Sequence, residues 1–196
     1  MEHYYSQHPM SPLNLRRIRA ILRKVEFNFY TGSGVFSIKR VDKGTEVLIN
    51  FSRIEDGWSV LDFGCGYGAV GVALAKLFPK SYITMTDINE RAVKLAHMNA
   101  DLNRVKNIGI FHGNMLEKID GNFDTVLLNP PQNAGKQLCF EMIEKSHGCL
   151  KEGGLLQLIA RHNKGGKGFA SKMEELFGNI EVIAKKAGYW LYVSKK

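Results

Sequence analysis

The chain has 196 residues, 44% of them hydrophobic and 23% charged, which suits one domain with an ordinary core and excludes a multidomain assembly. No run approaches the roughly 18 apolar residues of a membrane helix, and Met1-Glu2-His3-Tyr4-Tyr5 lacks the basic-then-apolar layout of a signal peptide, so a cytoplasmic protein without membrane contact is expected. The net charge of +8 sits at the two ends: Lys/Arg against Asp/Glu number nine to six over residues 1–56, ten to ten over 57–160 and eight to three over 161–196.

The clusters Arg16, Arg17, Arg19, Arg23, Lys24 and Arg161, Lys164, Lys167, Lys172 would attract a polyanion if both flanked one cleft. Taken singly, each reads equally well as a solvated basic face. Cys65, Cys139 and Cys149 are odd in number and form no CxxC pair, which points to neither a disulfide framework nor a zinc site. His97, His112, His147 and His162 lack metal-ligand spacing, so no metal is expected.

In chain order, Leu15–Val25 is read as a basic helix, Phe27–Lys39 as an aromatic loop carrying Gly32 and Gly34, and Thr45–Ile54 as a further helix. From Trp58 short apolar runs alternate with amphipathic segments, the pattern of a βαβ series and a parallel sheet. Strands are predicted at Ser59–Asp62, Tyr82–Thr86, Ile108–His112, Thr125–Leu128, Leu155–Ala160, Ile180–Lys185 and Tyr189–Val193. Helices are predicted at Ala69–Phe78, Glu90–Asn103, Lys136–Leu150 and Lys167–Phe177. Only Lys186-Ala187-Gly188 separates the last two strands, too short for a crossover, so they should form an antiparallel hairpin. The fold class is therefore α/β: a Rossmann-like, mainly parallel seven-stranded sheet with helices on both faces. Residues 1–56 are read as an extension packed on the substrate side of a core spanning 57–196, in one structural domain.

Asp62-Phe63-Gly64-Cys65-Gly66-Tyr67-Gly68 closes an apolar strand and opens a helix. Glycines there let a ligand approach the backbone at the carboxyl edge of the sheet, where open α/β folds bind ligands. Residues 66–71 also satisfy the dinucleotide pattern GxGxxG. A carboxylate at Asp62, however, would oppose a pyrophosphate and suits the ammonium of a methionyl group. Asp87 ends the next strand, near the ~20-residue offset at which an acid reaches ribose hydroxyls. Ile88 can pack on an adenine, Asn114 can bond its edge and Met115 can cover its other face. Singly, such an acid is more often a helix cap and such a Met core; together, at successive strand ends, they form a cofactor site.

Asn129-Pro130-Pro131-Gln132 follows the fourth core strand at the same edge. A conjugated amino group is a poor nucleophile because its lone pair is delocalised. If Asn129 Oδ1 and the Pro130 carbonyl accept its two N–H bonds, the lone pair can turn to a methyl sulfonium, a catalysis by orientation alone.

The set Asp62, Gly64, Gly66, Gly68, Asp87, Asn114 and Asn129-Pro130-Pro131 resembles the class I methyltransferases that modify amino groups. With Phe29-Tyr30-Thr31-Gly32-Ser33-Gly34-Val35-Phe36-Ser37, it resembles more narrowly the compact members of the small-subunit ribosomal RNA guanine-N(2) methyltransferases. The resemblance implies S-adenosylmethionine as donor, S-adenosylhomocysteine as product and a guanine amine of 16S RNA as acceptor. It makes Gly64, Gly66, Asp87 and Asn114 cofactor contacts, with Cys65 and Gly68 in the same loop. Asn129 and Pro130 would hold the target amine, beside Pro131. Gln132 departs from the Tyr or Phe usual after Asn-Pro-Pro, so stacking on the base should come from Tyr30 or Phe36, while Gln132 bonds the base edge. Arg161 and Lys164 would touch phosphates of a single strand or a flipped-out nucleotide. A monomer or weak homodimer is expected. The competing functions are protein glutamine N5-methylation and an RNA-binding protein that holds the cofactor without turnover.

Overall fold

The computed structural model describes residues 12–196; the expectation resting on Met1–Tyr5 lies outside the described residues. Its first elements are two antiparallel strands, β1 (Arg16–Leu22) and β2 (Val25–Thr31), followed by α1 (Lys43–Phe51). The helix read at Leu15–Val25 is thus overturned. Ile18 and Leu22 turn inward while Arg17, Arg19 and Ile21 face out, a period of two, and the basic residues mask it. The turn is Arg23-Lys24, both at positive φ (45° and 65°), with no Gly or Asn to announce a two-residue hairpin. Arg23 holds that turn in place by binding the exposed end of α1: its N donates to Asn50 Oδ1 (2.7 Å), its Nε to the Ile49 carbonyl (2.7 Å) and its Nη2 to the Ser52 carbonyl. Burial lowers the Arg23 pKa.

The core follows as β3 (Ser59–Phe63), α2 (Ala69–Leu77), β4 (Tyr82–Asp87), α3 (Glu90–Asn103), β5 (Ile108–His112) and β6 (Phe123–Leu128). After it come α4 (Lys136–Cys149), β7 (Leu150–Arg161), α5 (Lys167–Phe177), β8 (Glu181–Lys186) and β9 (Tyr189–Lys195). The sheet order is β5-β4-β3-β6-β7-β9-β8, and only β9 runs against its neighbours. Ala187 (φ 50°) and Gly188 (φ 78°) make the expected tight hairpin, with β9 inserted between β7 and β8.

One face buries Leu48 of α1, Val72 and Leu74 of α2 and Leu95 of α3 against Ile83 and Ile159. The other buries Cys139, Met142 and Ile143 of α4 and Phe169 and Met173 of α5 against Leu61, Val126 and Leu156. Strands covered on both sides explain the unbroken apolar runs of the sequence. Strand order reverses between β3 and β6, which leaves a crevice at their carboxyl ends. No helix among the described residues is long and apolar enough to cross a membrane.

The β1–β2 hairpin docks on α3 through two buried amides. Asn99 accepts from Tyr30 N (2.6 Å) and donates to the carbonyls of Tyr30 (2.9 Å) and Tyr67 (2.8 Å). Asn103 Nδ2 donates to the Asn28 carbonyl at 2.8 Å. Side-chain amides thereby stand in for a further strand along the free edge of β2.

Candidate active site

The glycine turn after β3 is held from the side by β4. Gly64 N and Cys65 N both donate to the Thr86 carbonyl (2.9 and 3.0 Å), and Gly66 N donates to Asp87 Oδ2 (2.7 Å). The glycines have separate reasons. Gly66, at φ 56°, has nothing within 4 Å of where a Cβ would stand, so its free side is cavity. A Cβ on Gly68 (φ 87°) would meet Met85 Cε at 2.8 Å, and one on Gly71 would meet Met85 Sδ at 2.4 Å. Those two serve the packing of α2 on β4, and Gly68 lies outside the cavity lining.

Asp62 and Asp87 both line the cavity. Asp62, 4% exposed, accepts from Gly71 N at 2.9 Å, and burial pushes its carboxyl up to about 7 against the pull of that amide; the charge of Asp87 adds to the rise. Burial raises Asp87 as well, opposed by the amides of Asn89 and Gly66 and by His112. No Lys or Arg among the described residues forms an ion pair with either. A cavity with two buried carboxylates and no Lys or Arg in its lining among the described residues suits a positively charged ligand such as S-adenosylmethionine. Beside them Phe63, Tyr67, Val70, Ile88, Ala92 and Met115 supply an apolar slot with Asn114 at its edge, suited to a nucleoside. Asn114 Nδ2 lies 3.5 Å from Glu117 Oε1.

β3 and β6 pair in parallel with Phe63 opposite Leu128, so Gly64 and Asn129 are the first residues beyond the paired ends of adjacent strands. The same cavity is lined by Asn129, Pro130 and Pro131, so the glycine turn and the Asn-Pro-Pro segment open on one space. Asn129 Nδ2 donates to Thr45 Oγ1 at 3.1 Å, and no hydrogen bond reaches its Oδ1 among the described residues. The Pro130 carbonyl already accepts from Gln132 N (2.8 Å), an inverse γ-turn about Pro131 at φ −73°, ψ 76°, and keeps one lone pair.

Phe36, 37% exposed, lines the cavity. Tyr30 does not: it lies within β2, its backbone tied to Asn99. Gln132 also stands outside the lining and faces the loop after β7, its Oε1 4.0 Å from where a Cβ on Gly165 would be. Arg161 and Lys164 are exposed on that loop's side, with the Arg161 guanidinium over the Tyr189 ring (5.1 Å). Arg23 and Lys172 leave the basic clusters, the first bound to α1 and the second paired with Glu144 (2.8 Å). Sequence reasoning missed Thr45, Leu138 and Met142, which helix position and burial, not motif, bring to the cavity, and Tyr67, which sits within the glycine turn itself.

Residues 26–193 match the methyltransferase small domain family. The chain belongs to this family of S-adenosylmethionine-dependent methyltransferases. It is 39% identical to the uncharacterized protein YbxB of Bacillus subtilis (strain 168), covering 100% of this chain and 98% of that one. It is 32% identical to ribosomal RNA small subunit methyltransferase C of Shewanella denitrificans over 83% of this chain and 47% of the relative. The methyltransferase small domain fold also superposes on the Thermus thermophilus 16S rRNA N2 G1207 methyltransferase RsmC, solved with AdoMet and guanosine, at TM-score 0.82 and 23% identity, covering 96% of this chain and 52% of that one. The chain thus spans about half the length of the methyltransferase C relatives it matches. Its sheet order and single antiparallel strand are those of a Rossmann-like methyltransferase.

Proposed function

We propose that this methyltransferase modifies the exocyclic N2 amine of a guanine in small-subunit ribosomal RNA. One observation carries the reading: the acidic glycine turn and Asn129-Pro130 open on a single cavity at adjacent strand ends. Bound there, S-adenosylmethionine supplies an electrophilic methyl on a sulfonium centre. Asp62 faces the positive charge of the methionyl end, Gly66 lets the ligand lie against the backbone, and Ile88, Asn114 and Met115 take the adenosine. Asn129 Oδ1 and the remaining lone pair of the Pro130 carbonyl accept the two amine N–H bonds, which turns the nitrogen lone pair toward the methyl. Phe36 supplies a ring for the base, a contact worth roughly 1–3 kcal/mol. The described part of the N-terminal extension, residues 12–56, then acts on the substrate side, giving Phe36 and Thr45 to the cavity, while Arg161 and Lys164 meet phosphates.

The test is incorporation of labelled methyl into unmodified small-subunit RNA or partly assembled subunits. Label released by ribonuclease and located on guanine N2 is the expected result. Label in protein, or none despite tight cofactor binding, would overturn the reading.

A further inference from the structure

We propose that Thr45 is a positioning residue for methyl transfer: its hydroxyl holds the Asn129 amide with Oδ1 toward the cavity. This rests on the reading that Asn129 accepts the target amine. The two ends of an asparagine amide have nearly the same shape and opposite hydrogen-bonding roles. Turned over, Asn129 would present an NH2 group to the amine it must hold, donor against donor. The amine needs Oδ1, and Nδ2 then needs an acceptor, which the Thr45 oxygen provides at 3.1 Å.

Thr45 is well placed for this. It is 7% exposed, lines the cavity and sits in the first turn of α1. The cap residue Asp42 accepts through Oδ2 from Gly44 N (2.8 Å) and Thr45 N (3.4 Å), and through Oδ1 from Tyr189 OH (3.3 Å). A Cβ on Gly44 would stand 2.7 Å from the Tyr189 ring, so the glycine lets this turn press onto β9. Side-chain position is therefore set by the helix start and the sheet together, while the sheet separately places Asn129.

The experiment compares Thr45→Val, which replaces the hydroxyl by a methyl, with Thr45→Ser, which keeps it. With Val we expect kcat to fall roughly ten- to hundredfold, the loss typical of a misplaced reacting group. Cofactor Kd and RNA KM should change by no more than about threefold, and Ser should restore kcat to within about threefold of the parent. In an Asn129→Ala background, single-turnover labelling should show no further loss on adding Thr45→Val, because Thr45 acts only through Asn129. An unchanged kcat in Thr45→Val, equal losses in Val and Ser, or an added loss in the Asn129→Ala background would each overturn the assignment. If Thr45→Val does not fold, Thr45→Ala against Thr45→Ser makes the same comparison. Full activity of Asn129→Ala is the separate outcome that removes the acceptor reading itself.

Discussion

Asp87 Oδ2 lies 2.7 Å from Gly66 N, so a carboxylate ending β4 sets the glycine turn that ends β3. Its other oxygen accepts from Asn89 N at 2.8 Å, at the start of α3. Asp87→Ala strands both amides, each at about 1–3 kcal/mol if left unpaired. We expect a clear fall in melting temperature and at least a tenfold loss of S-adenosylhomocysteine affinity by calorimetry. Asp87→Asn, with one acceptor oxygen, should recover part of the stability but not the affinity.

Asp62 gives opposite signs for stability and binding. Its folded carboxyl titrates at about 7 against an ordinary 3.8, so between those values the native state keeps a proton that the unfolded chain releases. Its contribution to stability is full below about 3.8 and is lost as pH rises through 7. A cationic ligand prefers the ionised form, so cofactor affinity should rise over pH 6 to 8 while the free protein becomes less stable. Asp62→Asn should flatten both profiles, with higher free-protein stability at pH 8 and weaker cofactor binding. Melting curves and titrations across that range check this, and parallel profiles in wild type and variant would refute it.

Gly66→Ala and Gly71→Ala should separate binding from packing. At Gly66 a Cβ enters the cavity, so affinity should drop more than tenfold, with a strain cost of about 1–2 kcal/mol from its positive φ. At Gly71 a Cβ strikes buried Met85, an overpacking cost of about 1–3 kcal/mol. Urea unfolding with cofactor titration of each variant reads both quantities.

Asn99→Ala removes partners from Tyr30 N, Tyr30 O and Tyr67 O together. Stability should fall by about 3 kcal/mol or more in urea unfolding. Because Tyr67 belongs to the glycine turn, cofactor affinity should weaken as well, although Asn99 is absent from the cavity lining.

Lys164→Ala should lower RNA affinity and reduce the slope of log K against log salt by roughly 1, the mark of one lost phosphate contact. Lys172→Ala, whose ammonium is already paired with Glu144, should leave that slope unchanged. Filter binding at several salt concentrations distinguishes them.

The core was legible because most strands from Ser59 onward are apolar runs and the helices among them have clear stops, and Glu90–Asn103 and Lys167–Phe177 fall where the pattern puts them. The N-terminal hairpin was not. Its turn has Arg and Lys at positions that ordinarily show Gly or Asn, and what stabilises it, the end of α1, lies 26 to 29 residues away. Tyr30, read as part of the Phe27–Lys39 loop, stands instead in β2, its backbone bound to Asn99 and outside the cavity lining.

By itself the sequence determined the alternating α/β core, the acids and glycines at its strand ends, and the Asn-Pro-Pro segment, because periodicity and local turn chemistry are properties of neighbours in the chain. Only the tertiary structure decided that Gly68 and Gly71 answer to Met85 while Gly66 answers to the cavity, and that Thr45 meets Asn129. Those are contacts between residues 14 to 84 positions apart, and no local pattern encodes the distance between atoms that only the folded sheet brings together.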